Sequence, residues 1–118
     1  MKHELFALDE LQPGTLRPVR IDGVDIVVIR DFEGALHALR DSCSHQRAKL
    51  SYGTLERTIE SSTPGDYTVT KAHLVRCPWH GMEFDVETGR CLADPAKHRV
   101  RSYPVRAENG MVVLERDA

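Results

Sequence analysis

Two short segments of this chain each pair a cysteine with a histidine, and they constrain its fold more than any other feature. Residues 43–45 read CSH, and residues 77–81 read CPWHG. A thiol and an imidazole two or three residues apart on a tight loop are able to point inward together and share one metal atom. Two such loops side by side offer two thiolates and two imidazoles. The two segments therefore belong together, although they lie far apart in the sequence.

The four side chains form a suitable ligand set for a [2Fe–2S] cluster. One iron would take Cys43 and Cys77, and the other would take His45 and His80. Structural zinc is the competing interpretation, but zinc sites usually place two cysteines in one turn and two histidines in another. The mixed C-x-H and C-x-x-H spacing favours the cluster.

At these residues the chain resembles the Rieske family, whose motif is C-x-H followed by C-x-x-H, the second half often reading CPWHG. The resemblance extends to Phe84-Asp85 and Thr88-Gly89, which match an FD-x-x-TG run of Rieske ferredoxins and ring-hydroxylating oxygenases. It implies an all-β, Rieske-type antiparallel β-sandwich with a small cluster-binding subdomain. The ligand loops, at about residues 43–50 and 77–82, would project from one end, and Pro95 would belong to a third loop that shields the cluster.

The rest of the sequence agrees with an all-β domain. Residues 16–21 and 25–30 flank the turn dipeptide Asp22-Gly23 and predict a hairpin. Further strands are predicted at 35–40, 72–76, 82–86, 100–106 and 111–115. At least seven strands without a long amphipathic helix indicate a sandwich or a barrel. A length of 118 residues suits one domain, spanning residues 1–118.

The spacing between the two ligand loops departs from the family pattern. His45 and Cys77 are separated by 31 residues, whereas the resemblance implies about half as many. The surplus lies at about residues 55–70, Leu55 to Thr70, around turn-forming residues at 61–66. We predict an extended hairpin there. A short helix over 55–60 and a mobile loop are the alternatives.

Three further residues able to bind metals are expected to have structural roles. His37 and His73 each lie on a predicted strand, and no second ligand lies near His37 at a useful spacing. Cys91 also has no neighbour that completes a site, so we expect a buried free thiol. With three cysteines, two of them proposed ligands, no disulfide framework is indicated.

The overall charge of the chain bears on the classes of partner to be expected. The formal net charge of −2 gives no global reason to expect binding to nucleic acid or to an anionic membrane. No stretch has the pattern of a signal peptide or the length of a membrane span, so the chain is expected to be cytoplasmic. Positive charge is local: a basic rim beside the cluster is predicted from Arg47, Lys49, Lys97, His98 and Arg99.

Within the Rieske family the sequence indicates the soluble, low-potential type. Respiratory members carry a disulfide between their ligand loops, and Ala48 and Trp79 occupy the matching places here. Those members also carry two hydroxyl groups that donate hydrogen bonds to sulfur, and their places are taken by Met82 and Phe84. Loss of both donors removes stabilisation of the reduced state and lowers the potential.

The resemblance implies a ferredoxin that passes single electrons from a flavin-dependent ferredoxin reductase to the terminal oxygenase of a ring-hydroxylating dioxygenase system. The alternatives are the small Rieske subunit of an assimilatory nitrite reductase and a non-redox interaction domain that keeps the fold. No catalytic residues are expected. An oxygenase catalytic subunit would need a two-histidine, one-carboxylate iron site on a separate domain, and about a dozen residues follow the predicted 100–106 strand. The chain is therefore expected to be an electron-transfer component rather than an enzyme.

Overall fold

Antiparallel β-strands account for nearly all the regular structure of this chain. The computed structural model describes residues 2–42, 49–63, 66–78, 82–92 and 99–116, and for residues 57–63 and 66–72 it describes the backbone alone. In this part of the chain there are nine strands in three three-stranded sheets, with two single-turn 3-10 helices at Leu8–Glu10 and Leu50–Tyr52. The prediction of an antiparallel all-β fold is confirmed.

The three sheets are built from consecutive or nearly consecutive strands. The strands are β1 (Lys2–Ala7), β2 (Thr15–Ile21), β3 (Val24–Arg30), β4 (Leu36–Arg40), β5 (Thr54–Thr63), β6 (Asp66–Arg76), β7 (Glu83–Asp85), β8 (Val105–Glu108) and β9 (Met111–Glu115). The first sheet has the order β1-β9-β8, the second β2-β3-β4 and the third β5-β6-β7. Every neighbouring pair is antiparallel.

The middle of the second sheet explains how the sheets pack. Residues 26–29 in β3 are an uninterrupted apolar run, and all four side chains are fully buried. Because successive side chains point to opposite faces of a strand, Ile26 and Val28 pack in clusters with β9 of the first sheet. Val27 and Ile29 pack in another cluster with β6 and β7 of the third sheet. The second sheet therefore lies between the other two.

Most of the predicted strands are present. The hairpin at 16–21 and 25–30 is β2 and β3, and the strands predicted at 35–40, 82–86 and 111–115 are β4, β7 and β9. The extended hairpin predicted within 55–70 is also confirmed, because β5 and β6 pair from Thr54 opposite Arg76 to Thr63 opposite Asp66. The alternatives at this place, a short helix over 55–60 and a mobile loop, are wrong, since those residues pair with β6. The predicted 72–76 strand is the end of β6.

Two parts of the strand prediction are wrong. In the predicted 100–106 strand, regular pairing begins at Val105, after Pro104, which has no N–H to donate. The residues before it instead join the edge of β4, where Tyr103 N donates to Ala38 O at 2.9 Å and Arg40 N donates to Arg101 O at 2.8 Å. The N-terminal strand β1 was not predicted, because its first three residues are polar. It is held by pairing with β9.

Candidate metal centre

Cys77 is the one predicted ligand that falls within the described residues. It follows directly after β6 and is 1% exposed. Its backbone N–H donates to the carbonyl of Met82 at 2.7 Å, which closes the backbone of the second ligand segment. The thiol lies in the hydrophobic cluster between the second and third sheets. Cys43, His45 and His80 lie outside the described residues.

The first ligand segment is held at its base by a buried aspartate. Asp41 is 2% exposed, and its carboxylate accepts hydrogen bonds from the backbone N–H of Ser51 at 2.8 Å and from the Ser51 hydroxyl at 2.6 Å. The backbone N–H of Asp41 donates to the carbonyl of Asp25 in β3. Hydrogen bonds thus join the two ends of the segment 41–51, which contains both Cys43 and His45, so the segment begins and ends at one place.

Both ligand segments start from the same hydrophobic cluster. Leu50, which precedes Ser51, is fully buried and packs in the cluster that contains Cys77, and Leu39 of β4 is another member. The last residues before and after the first segment are therefore close to the start of the second. This meets the main geometric requirement of the four-ligand hypothesis, which is that two distant parts of the sequence meet.

A third segment starts beside the second one. The backbone N–H of Leu92 donates to the carbonyl of Glu83 in β7 at 3.0 Å, and Arg90 and Arg99, on either side of this segment, form an isolated bridge. Its base therefore adjoins β7. Pro95, predicted to shield the cluster, lies outside the described residues. Cys91 is fully buried beside Phe84 and forms no disulfide, as expected for a free structural thiol.

The surroundings of Cys77 are apolar. Phe84 is fully buried in the same cluster, and Met82 packs against it while remaining partly exposed. Neither side chain carries a hydroxyl group, so neither can donate a hydrogen bond to a sulfur atom. Burial in apolar surroundings favours the neutral thiol over the thiolate, and a bound metal ion stabilises the thiolate. The donor set and this buried, water-poor base fit a cluster whose thiolate-bound iron lies on the inner side.

The two histidines predicted to be structural share one buried carboxylate, an arrangement that the sequence does not reveal. Asp31 follows β3 and is 4% exposed; its Oδ2 lies 2.8 Å from His37 Nε2 and 3.5 Å from His73 Nδ1. Its Oδ1 accepts the backbone N–H groups of Glu33 and Ala35, both at 2.9 Å.

Asp31 stays ionised in spite of its burial. Burial acts to raise the pKa of its carboxyl group, but the hydrogen bond from His37, the two backbone hydrogen bonds and the nearby imidazole of His73 outweigh it and hold that pKa below its ordinary value. No group of three or more candidate ligands in the described part of the chain is arranged to hold a metal ion. Structural roles for His37 and His73 are consistent with these contacts.

Charge near the proposed site is mixed. Lys49 Nζ lies 3.9 Å from Asp25 Oδ2, and Arg20 Nε lies 4.0 Å from Asp25 Oδ1, so the positive charge of Lys49 is partly balanced. Arg99, at the end of the third segment, is exposed. The other members of the predicted basic rim, Arg47, Lys97 and His98, fall outside the described residues. Within the described part of the chain, no helix has the length and apolarity needed to cross a membrane.

Comparison with known proteins follows from this geometry. The model of the Rieske [2Fe-2S] domain family matches residues 1–104. The chain is 33% identical over 109 residues to the ferredoxin component of the naphthalene 1,2-dioxygenase/salicylate 5-hydroxylase systems of Ralstonia sp., covering 92% of this chain and 88% of the relative.

Solved structures agree. A chain in the complex of reduced oxygenase and oxidized ferredoxin of carbazole 1,9a-dioxygenase superposes with a TM-score of 0.74 at 29% identity, covering 96% of this chain and 91% of that one. A Mycobacterium tuberculosis protein described as an NADH-dependent nitrite reductase small subunit superposes with a TM-score of 0.80 at 26% identity, covering 100% and 96%. Family members carry a [2Fe–2S] cluster. The family model matches most of the chain, and Cys77 of the second ligand segment is buried where that segment begins. This chain therefore belongs to the Rieske [2Fe-2S] domain family.

Proposed function

We propose that this protein is a ferredoxin that carries single electrons from a flavin-dependent reductase to the terminal oxygenase of a ring-hydroxylating dioxygenase system. The observation that carries the proposal is its similarity, over nearly the whole chain, to the ferredoxin component of a dioxygenase system. The related complex of an oxygenase with its ferredoxin supports the choice of acceptor. In this role the protein works as an electron-transfer component and transforms no substrate of its own.

The proposed ligands are Cys43 and Cys77 on one iron and His45 and His80 on the other. When bound, such a cluster supplies a one-electron redox centre whose potential lies above that of plant-type ferredoxins, because neutral imidazoles replace two thiolates. Cys77 would hold the inner iron, since its side chain is buried at the base of the second segment. The histidines would then lie on the outer side, where a partner can approach.

Residues around Cys77 would exclude water from the inner side. Leu50, Phe84 and Val100 are buried in the same cluster as the thiol, and Met82 packs against them. Since Met82 and Phe84 offer no hydroxyl donors, the reduced state would lack a stabilisation that high-potential relatives have. The protein would therefore work at the low end of the Rieske range. We place it in the cytoplasm, with no role at a membrane or on nucleic acid.

The ligand assignment is tested with two cysteines that share one environment. Cys77 and Cys91 are both buried in the same hydrophobic cluster, so Cys77→Ser and Cys91→Ser disturb packing to a similar degree. Purified anaerobically, the wild type and Cys91→Ser should contain two irons and two sulfides per chain, and Cys77→Ser should not. His45→Ala and His80→Ala should also lose the rhombic EPR signal of the reduced protein. A Cys77→Ser variant with a full, unaltered cluster would contradict the assignment.

The transfer role is tested with purified partners. Reduced protein mixed with a terminal oxygenase from a ring-hydroxylating system should be oxidised in a second-order reaction, and adding a flavin-dependent reductase with NADH should sustain turnover. A protein that accepts electrons but passes none to any such oxygenase would contradict this role. A zinc-loaded, EPR-silent protein would instead support the non-redox interaction domain.

The small subunit of an assimilatory nitrite reductase is the second candidate. The similarity to a nitrite reductase small subunit favours it, because that structure superposes over the full length of this chain. This alternative predicts stable association with a large nitrite-reducing subunit, whereas a ferredoxin forms a transient complex. Co-purification with the product of a neighbouring large-subunit gene, and no reaction with an oxygenase, would favour the alternative.

A further inference from the structure

Asp31, His37 and His73, which we name the histidine clasp, join two strands from different sheets. His37 is the second residue of β4, and His73 lies near the end of β6. Both imidazoles contact the same oxygen of Asp31, at 2.8 and 3.5 Å. Since β4 and β6 belong to the second and third sheets, the clasp is a polar link across the interface between them.

These two strands are the ones that lead into the two proposed ligand segments. His37 precedes Cys43 by six residues, and His73 precedes Cys77 by four. At about 3.3 Å per residue in an extended strand, the clasp lies roughly 13–20 Å upstream of the cysteines. Beyond it, Leu39 of β4 and Val75 of β6 pack in the cluster that contains Cys77. The clasp thus fixes both strands upstream of the two cysteines.

We propose that the histidine clasp positions the metal site. It fixes how far β4 and β6 are shifted along each other across the interface between their sheets, and thereby sets the spacing between the two ligand segments. The proposal rests on the ligand assignment made above. Apolar contacts between sheets are non-directional and tolerate small slides, whereas a carboxylate with fixed partners does not. Asp31 is fixed by the two backbone hydrogen bonds to its other oxygen. A metal site needs its ligands held within about 0.5 Å, so such a reference point matters.

The contacts of each imidazole suggest conservative replacements. An ionised carboxylate only accepts hydrogen bonds, so His37 Nε2, which lies 2.8 Å from Asp31 Oδ2, donates that bond. His73 faces the same oxygen with its Nδ1 at 3.5 Å. Glutamine at 37 and asparagine at 73 place an amide N–H near each of these positions. The other ring nitrogen of His73, Nε2, is buried and has no hydrogen-bonding partner among the described residues. The asparagine therefore keeps the contact with Asp31 without burying that second nitrogen.

The experiment compares three metal-loaded variants with the wild type. The first variant, His37→Leu with His73→Leu, keeps bulk and removes both contacts; the second, His37→Gln with His73→Asn, keeps them. The control is Val112→Ala, which opens a cavity in the cluster between the first and second sheets, away from the proposed site. We measure metal release to a chelator well below the unfolding temperature of each protein, together with the EPR line shape and the midpoint potential.

The leucine pair should release its metal several-fold faster than Val112→Ala, with a broadened EPR signal and a shifted potential. The glutamine–asparagine pair should return all three readouts towards the wild type. Each protein is measured at the same number of degrees below its own unfolding temperature. The proposal is overturned if the leucine pair then matches Val112→Ala in the rate of metal release, the EPR line shape and the potential. It is also overturned if the conservative pair behaves like the leucine pair. If the leucine pair does not fold, the single variants His37→Leu and His73→Leu each replace it in the same comparison.

Failure of the ligand assignment gives a different result. Metal analysis identifies whichever metal the wild type carries, and the chelator assay reports its release. A wild type that carries zinc would overturn the electron-transfer role and would still test the clasp by zinc release. A wild type that binds no metal would overturn both proposals.

Discussion

Gly89 and Gly110 form a matched pair that isolates one close backbone contact near the proposed site. Both adopt φ of +77°, so alanine at either position pays the same conformational cost of about 1–2 kcal/mol. Around Gly110 nothing lies within 4 Å of an added Cβ. At Gly89 the added Cβ would lie closer than 3.0 Å to the carbonyl oxygen of Val100. The backbone at Val100 cannot simply withdraw, because Val100 N donates to Gly89 O at 2.8 Å.

The difference between the two variants measures this contact. Forced overpacking typically costs about 1–3 kcal/mol, so Gly89→Ala should destabilise by about 2–5 kcal/mol and Gly110→Ala by about 1–2 kcal/mol. For a chain of this size each kcal/mol lowers the melting temperature by about 4 °C, which gives about 8–20 °C and 4–8 °C. Urea unfolding followed by circular dichroism gives the free energies. Equal destabilisation by the two variants, within about 0.5 kcal/mol, would show that the contact with the Val100 carbonyl adds no cost.

Three further predictions concern pH, potential and docking. The folded-state pKa of Asp31 is held below its ordinary value of 3.8, so the stabilising contribution of its carboxylate is present above that value and disappears as the pH falls through the lower, folded-state pKa. The loss of unfolding free energy caused by Asp31→Asn should therefore shrink below about pH 4 in urea titrations of the metal-free proteins. A loss that stays constant with pH would contradict this. The midpoint potential should lie near about −150 mV rather than +300 mV by voltammetry, and Met82→Ser with Phe84→Tyr should raise it; an unchanged potential would mean that another group controls it. Arg47→Glu with Lys49→Glu should slow second-order oxidation by the acceptor in stopped-flow experiments and flatten its salt dependence, and an unchanged rate would place docking elsewhere, with the β5–β6 hairpin the next candidate.

Local sequence patterns predicted the strands whose packing and pairing in the fold match those patterns. The apolar run at residues 26–29 is a strand because both its faces meet other sheets, and the hairpin over 54–76 forms because its two halves pair with each other. The N-terminal strand escaped prediction because Lys2, His3 and Glu4 carry no apolar alternation, and its pairing with β9 joins the two ends of the chain. Such long-range pairing overrides a weak local pattern.

Some features of the proposed site could be predicted from the sequence, and others could not. The ligand types and the burial of Cys91 could be inferred from spacing and composition, since each depends on the residue itself. The clasp could not, because Asp31 and His73 are 42 residues apart and meet through the packing of two sheets. The aspartate has the appearance of an ordinary turn residue, and it does bind the two backbone N–H groups of its turn. The contacts of its second oxygen with the two histidines become visible only in the folded structure.

The ligand assignment proposes that one two-iron cluster is bound by Cys43, His45, Cys77 and His80. Its most direct test is the EPR spectrum of the anaerobically reduced protein, recorded with iron and sulfide analysis of the same sample. We expect two irons, two sulfides and a rhombic signal whose average g lies below that of all-cysteine clusters, because two histidines replace two thiolates on one iron. An EPR-silent protein with stoichiometric zinc, or a spectrum with the higher average g of all-cysteine ligation, would contradict it.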